Sequence, residues 1–313
     1  MAVSESSEYK PLVPPGIRLL ERDLPDFPEI AIRTLRLLQD PGVDNKNFAR
    51  QLESDTYLHL AERILRVANS AFYSPRMPIR NVSDAISRLG RKPVYDLIVV
   101  AAVGELYDSN DPYIQELWNH AIATGTASLL LARRYDRDLA NEAFMAGILH
   151  DIGKLVVYKK YPFLYWRYWC ELGAGCCRLD KIEQAEFPDL AHTQIGMRVC
   201  QKWNLSDAIV DSANLHHKLH WHASVNRVAH FLPCVVSLAS VIVNNMGINA
   251  PVCSWEKTET LACARFLGFE LGHVGPIQDR LEELFSIHQL DIVRAPVDAN
   301  AHVAVALSPP KPM

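Results

Sequence analysis

Six side chains of this sequence are of the types that bind divalent metals or move protons, and they recur in separate apolar stretches. They are His120, the adjacent pair His150-Asp151, His192, and the adjacent pair His216-His217. A neutral imidazole with a carboxylate is a common ligand combination for divalent cations. The His150-Asp151 pair lies inside Phe144-Met145-Ala146-Gly147-Ile148-Leu149-His150-Asp151-Ile152-Gly153-Lys154-Leu155. There Phe144, Gly147, Ile148, Asp151 and Leu155 recur at spacings of three and four, so they share one helical side. An ionisable pair in a buried helix is costly without compensation. A metal ion would compensate it, and so would a hydrogen-bond network. The dipeptide alone leaves both open.

Facing helices of a bundle are a natural place to assemble ligands at one point. Two divalent ions about 3.5–4 Å apart could use such a set to activate water and clamp a phosphoryl group. Lys154, one turn beyond His150, is placed to approach a phosphate. Taken singly, His120 or His192 reads as an ordinary core or surface histidine. The run His216-His217-Lys218-Leu219-His220-Trp221-His222 reads equally well as a solvated loop. Serine or cysteine nucleophile motifs, Gly-rich phosphate loops and dinucleotide fingerprints are absent.

The elements that must position these residues are helical throughout. The apolar spacing predicts helices over 29–39, stopping at Asp40-Pro41-Gly42, and over 47–52. A third, capped by Ser54 or Asp55, runs to Ala68. Ser83 is the expected N-cap of a helix ending at Gly90, and Pro93 fits the first turn of the next. Further helices are expected over 116–134, 139–158 (one continuous helix), 190–203, from Ser206 through His217, over 227–245, 255–271 and 276–288. The aromatic run Tyr161 to Trp169 is read as packing against the bundle rather than as a base-stacking surface. Nowhere does a strand-like alternation persist. The expectation is an all-α multi-helix bundle with a flexible arm over 1–22, an N-terminal helical half over 23–110, a second half over 111–290 and a flexible tail over 291–313.

Composition narrows the function. With 49% hydrophobic and 22% charged residues over 313 positions, the chain has ample core material. A net charge of −4 and a pI near 6.3 disfavour a nucleic-acid partner. The best apolar run, Leu97 to Val103, is far too short to cross a membrane, and the polar, acidic first residues are unlike a signal peptide. Seven cysteines without a Cys-x-x-Cys spacing read as reduced thiols of a cytoplasmic protein.

The segment from Phe144 to Lys154 resembles the signature of the HD superfamily of metal-dependent phosphohydrolases. Leu65-Arg66-Val67-Ala68-Asn69-Ser70-Ala71-Phe72-Tyr73 and Val82-Ser83-Asp84-Ala85-Ile86-Ser87-Arg88-Leu89-Gly90 resemble the N-terminal half of the HDOD domain, the HD-related output domain of bacterial signalling proteins. His192-Thr193-Gln194-Ile195-Gly196, Trp203-Asn204-Leu205 and His216-His217 extend that resemblance, which covers roughly residues 20 to 290. It implies a largely non-catalytic bacterial regulatory protein. It also implies metal ligands at His120, His150 and Asp151, joined by His192, His216 and His217 in binuclear members. HD hydrolases carry a late aspartate in an apolar helix, within a Leu-Ala-Asp type segment. Here Leu238-Ala239 is followed by Ser240, and a serine hydroxyl is a poor replacement for an anionic ligand.

Two functions follow as expectations. The first is a signal-transduction protein that binds a signalling partner and does not catalyse. The second is a phosphohydrolase of a nucleotide or cyclic dinucleotide, with Fe, Zn or Mn on the six ligands, Asp151 catalytic and Lys154 on the phosphate. The pathway, the partner and whether the chain forms a homo-oligomer are left open.

Overall fold

The structure is a computed structural model that describes residues 17–40, 42–54, 61–62, 64–65, 68–69, 77–135, 137–164, 183–184, 187–217, 230–246 and 263–287. Its longer helices are α1 (Glu29–Gln39), α2 (Asn45–Leu52), α3 (Val82–Leu89), α4 (Arg91–Leu106), α5 (Pro112–Ala132), α6 (Arg137–Leu149), α7 (Ile152–Lys160), α8 (His192–Lys202), α9 (Asp207–Leu215), α10 (Phe231–Asn245) and α11 (Val274–Ile287). Among the described residues there is no strand. The fold is an all-α bundle, and α1 to α4 form its N-terminal helical part. No helix of the described residues is long and apolar enough to cross a membrane.

Local chemistry explains several of the helix ends. Asp44 starts α2 by accepting the Asn47 N–H at 2.7 Å, and Asp111 starts α5 by accepting the Tyr113 N–H at 2.9 Å, with Pro112 in the first position. The expected cap Ser83 already lies within α3. Asn81 is the cap, accepting the Asp84 N–H at 2.7 Å. Gly90 ends α3 at φ 91°, a conformation that glycine adopts without a Cβ penalty.

Helix α5 is buried on nearly every side, from Leu117 through Ala132, as befits the central helix of a bundle. It packs along α6, and α10 packs across both. Helix α9 bridges α6, α8 and α10, and α8 lies against α7. The α5–α6 crossing is close because both helices put glycine there. A Cβ on Gly147 would meet the Gly125 Cα at 2.6 Å.

Three further expectations change. The helix expected over 139–158 is two helices, because α6 ends at Leu149 and α7 starts at Ile152. The His150 ring takes the Gly147 carbonyl at 2.7 Å, and Asp151 adopts φ −106°, ψ 12° as the N-cap of α7. In a continuous helix, successive side chains diverge by about 100°. The break turns both toward one interior point.

Residues 17–22, expected to belong to a loose arm, are packed. Leu19 and Leu24 are buried, Tyr161 Oη donates to the Arg18 carbonyl, and Arg198 donates to the Leu19 carbonyl. This strap continues to Pro25, whose carbonyl accepts from Trp203 Nε1 at 3.0 Å, and to Phe27, whose ring lies 5.2 Å from that of Trp203. It crosses α7 and α8, so its packing is tertiary and carries no local periodicity. Finally, α9 stops at Leu215, so His216 and His217 lie in the turn beyond it. Residues 1–16, most of the aromatic run, the start of the 255–271 helix and the tail lie outside the described residues, as does most of the helix expected between Ser54 and Ala68.

Candidate metal centre

All six sequence-nominated ligands meet at one place. His120 comes from α5, His150 and Asp151 from the α6–α7 break, His192 from the first position of α8, and His216 and His217 from the turn after α9. They fall into two groups sharing Asp151: His120, His150 and Asp151, and Asp151, His192, His216 and His217. Within each group the ligand atoms lie within 4.8 Å of one another. His120, His150, Asp151, His192 and His216 are each no more than 3% exposed. Helix packing around short glycine crossings thus gathers five buried polar groups at one place in a largely apolar core.

The Asp151 carboxylate divides the centre. Its Oδ2 lies 3.2 Å from His150 Nε2 and 3.6 Å from His120 Nε2. Its Oδ1 lies 3.3 Å from His192 Nε2 and 3.5 Å from His216 Nε2. Lys154 Nζ donates to Oδ2 at 2.7 Å, while the buried Oδ1 has no hydrogen-bond partner. Burial pushes the Asp151 carboxyl up, but the His150 imidazole and the Lys154 ammonium outweigh it and hold the carboxyl well below the usual range. Burial also lowers the His216 imidazole to about 4 and His217 well below its ordinary value, so both are neutral near pH 7.

Partners on the far side of each ring fix the tautomers. His150 Nδ1 faces the Gly147 carbonyl at 2.7 Å, and His216 Nδ1 faces the Ser212 carbonyl at 2.9 Å. A carbonyl only accepts, so Nδ1 carries a proton in each ring, and in the neutral form that ligates a metal the Nε2 lone pair faces the centre. His192 Nδ1 contacts the buried Glu183 carboxylate, which also accepts the His192 backbone N–H at 3.0 Å. That contact places the Nδ1 proton on the glutamate side and aims the His192 Nε2 lone pair inward. Carboxylate–histidine pairs of this kind orient ligands and raise their basicity. Asp151 Oδ1 and two imidazole nitrogens therefore face one another as acceptors, an arrangement a cation relieves. The donor set fits a divalent metal.

Sequence reasoning missed Glu183. The signal was there: α8 begins at Ala191-His192 with no side-chain cap, so its first N–H groups need an acceptor from elsewhere. Residues 180–187 carry three acidic side chains, Asp180, Glu183 and Glu186, close enough in sequence to supply one. Gly153 was missed as well. A Cβ there would lie 2.0 Å from the His192 carbonyl oxygen, so glycine is what allows α7 to bring Asp151 against α8. A cavity of about 210 Å³ lies elsewhere, between the strap, α4 and α7, and none of the six ligands lines it.

The family model of the HDOD domain matches residues 24–219. This chain belongs to the HDOD domain family. An uncharacterized protein of Treponema pallidum (strain Nichols) is 26% identical over 198 residues, which are 63% of this chain. The chain spans only 38% of the length of that relative. An HDOD domain protein of unknown function from Geobacter sulfurreducens superposes with a TM-score of 0.63 at 24% identity, covering 84% of this chain and 93% of that one. A candidate signal transduction protein from Marinobacter aquaeolei VT8 superposes with a TM-score of 0.61 at 23% identity, covering 93% of this chain and 62% of that one. At these identities the structural likeness carries the fold.

The HDOD match ends before Ser240, and the structure places that residue by contact. Ser240 Oγ lies 3.5 Å from His120 Nε2, and Thr124 Oγ1 lies 3.3 Å from the same nitrogen. Two hydroxyls thus flank the histidine where the resemblance to HD hydrolases calls for a carboxylate.

Proposed function

We propose that this HDOD chain is a regulatory, signal-transducing protein that acts by binding a protein partner and does not turn over a phosphoester. The observation that carries the reading is Ser240 against His120. A hydroxyl there gives neither the negative charge that holds a hard or borderline cation nor a base beside its bound water. The Lys154 ammonium on Asp151 Oδ2 acts in the same direction, because it occupies the carboxylate oxygen that faces His120 and His150. When a divalent ion is bound, it would lock α5, the α6–α7 break, α8 and the turn after α9 into one unit. In this reading the centre sets the shape of the surface that the partner meets.

The test is a hydrolysis assay of the full chain, reconstituted in turn with Zn²⁺, Mn²⁺ and Fe²⁺, on a cyclic dinucleotide and on nucleoside mono- and triphosphates. The expected result is no turnover above that of Asp151→Ala. Hydrolysis at an ordinary enzymatic rate, of about 1 s⁻¹ or faster and abolished by Asp151→Ala, overturns the reading.

One observation favours a second reading, a metal-dependent phosphohydrolase: the inward lone pairs of His150, His192 and His216 around one carboxylate. Fe, Zn or Mn on the six ligands would supply a hydroxide near neutral pH, and Lys154 would hold the phosphate. The same assay decides between the two.

A further inference from the structure

The two halves of the centre have similar edges. His120, His150 and Asp151 Oδ2 are separated by 3.2 to 3.6 Å, and His192, His216 and Asp151 Oδ1 by 3.3 to 3.5 Å. Donor atoms bound at about 2.0–2.2 Å around a tetrahedral ion lie roughly 3.3–3.6 Å apart, so distance alone selects neither half. Protons and charge do.

In the first half the polar atoms that face the centre have an internal solution. His150 Nε2 and His120 Nε2 lie 3.3 Å apart, so one Nε2–H shared between the two rings satisfies both. Asp151 Oδ2 already has the Lys154 ammonium at 2.7 Å. The hydroxyls of Thr124 and Ser240 complete the shell without adding charge. The second half has no such solution. His192 Nε2 and His216 Nε2 are 3.4 Å apart with both protons committed to the outer Nδ1 atoms, to Glu183 and the Ser212 carbonyl. Asp151 Oδ1 faces them, buried and without a hydrogen-bond partner. His217 supplies a fourth ligand atom, its ring centroid 4.2 Å from that of His216.

We propose that this chain holds a single divalent ion of the zinc class, bound by Asp151 Oδ1, His192, His216 and His217, and that the Lys154 ammonium stands in for a cation in the His120–His150 half. The inference rests on reading the centre as a metal site and goes beyond it by assigning the number, the place and the kind of ion. Three imidazoles and one carboxylate make a four-ligand site of the closed, structural kind, with no position left for a reacting water.

The test is metal analysis of the full chain after Zn²⁺ loading and desalting, with Co²⁺ substitution read by visible absorption. Wild type is expected to retain one ion per chain and to give the intense bands of four-coordinate Co²⁺. His217→Ala, at the half-buried edge of the site, is expected to weaken Zn²⁺ binding at least tenfold. His120→Ala is expected to keep one ion and the same Co²⁺ spectrum. Circular dichroism confirms that each variant folds, and the double variant Lys154→Met/Ser240→Asp is expected to take up a second ion. Two ions in wild type, or loss of the ion from folded His120→Ala but not from His217→Ala, overturns the assignment and leaves the metal reading standing. No ion in wild type, with inward lone pairs still present, overturns both.

Discussion

Asp151 presents Oδ2 to the Lys154 ammonium at 2.7 Å and Oδ1, without a hydrogen-bond partner, to His192 and His216. One carboxylate thereby joins a half that is internally neutralised to a half that needs a cation. The division follows from the break between α6 and α7, which lets His150 and Asp151 point inward together while Lys154, one turn on, reaches back to the same carboxylate.

Glu183 makes the first prediction. It is fully buried and its carboxylate engages both the His192 ring and the His192 backbone N–H. Glu183→Gln keeps an oxygen that accepts both protons but removes the charge that raises the basicity of His192. Zn²⁺ affinity is expected to fall about 10–100-fold, measured by competition with a chromophoric chelator, while far-ultraviolet circular dichroism is unchanged. An unaltered affinity would show that Glu183 only caps α8.

Glu116 makes the second, one turn before His120 on α5. Its Oε2 is buried without a hydrogen-bond partner, and burial pushes its carboxyl up to about 7. A folded pKa above the unfolded value of 4.5 means that the folded chain binds more protons between about pH 4.5 and 7, so this group removes stability as pH rises through that window. Glu116→Gln is expected to raise the thermal midpoint at pH 7.5 and to leave it nearly unchanged at pH 4.5. A midpoint lowered at pH 7.5 would mean that the charged carboxylate has a favourable role.

Much of this was legible in the sequence because it is local. Helix α1 occupies the expected residues, Gly90 terminates α3, and the six ligand types stand out by their rarity in apolar surroundings. The HDOD signature is likewise a set of short blocks. What was not legible is what depends on two segments meeting. Periodicity continued through His150-Asp151 because the apolar positions on both sides keep the same spacing, whereas the break is set by a ring-to-carbonyl bond. The packing of residues 17–22 depends on backbone acceptors for Tyr161 and Arg198, far along the chain. Glu183 and Gly153 act only because α8 is beside them.

Asn69 makes the third prediction. Its amide nitrogen donates to the Leu65 carbonyl at 2.9 Å and to the Ile79 carbonyl at 2.7 Å, and its Oδ1 accepts the Ile79 N–H at 2.6 Å. This one side chain ties the end of a helix to the segment that leads into α3, which explains an asparagine in that HDOD block. Asn69→Leu retains the volume and leaves those backbone groups without partners. The expected loss is about 2–4 kcal/mol in a urea titration, and Asn69→Asp, which keeps the acceptor alone, should lose an intermediate amount. Equal stability of all three forms would remove the tether.

Gly153 makes the fourth, and it connects packing to the centre. An added methyl would stand 2.0 Å from the His192 carbonyl oxygen and 2.7 Å from the Gly196 nitrogen, both backbone atoms that no side-chain rotation can move. Alanine favours a helix by about 1 kcal/mol over glycine, but overpacking at such a crossing costs about 3 kcal/mol, so destabilisation wins. The helices can relieve the clash only by separating, which draws His192 at the start of α8 away from Asp151 at the start of α7. Gly153→Ala is therefore expected to lower the thermal midpoint and to weaken Zn²⁺ binding together. Gly272→Ala, with nothing within 4 Å of the added atom, should change neither. Full Zn²⁺ affinity in a destabilised Gly153→Ala would show that the centre tolerates the shift of α8, and that close helix contact is not what assembles it.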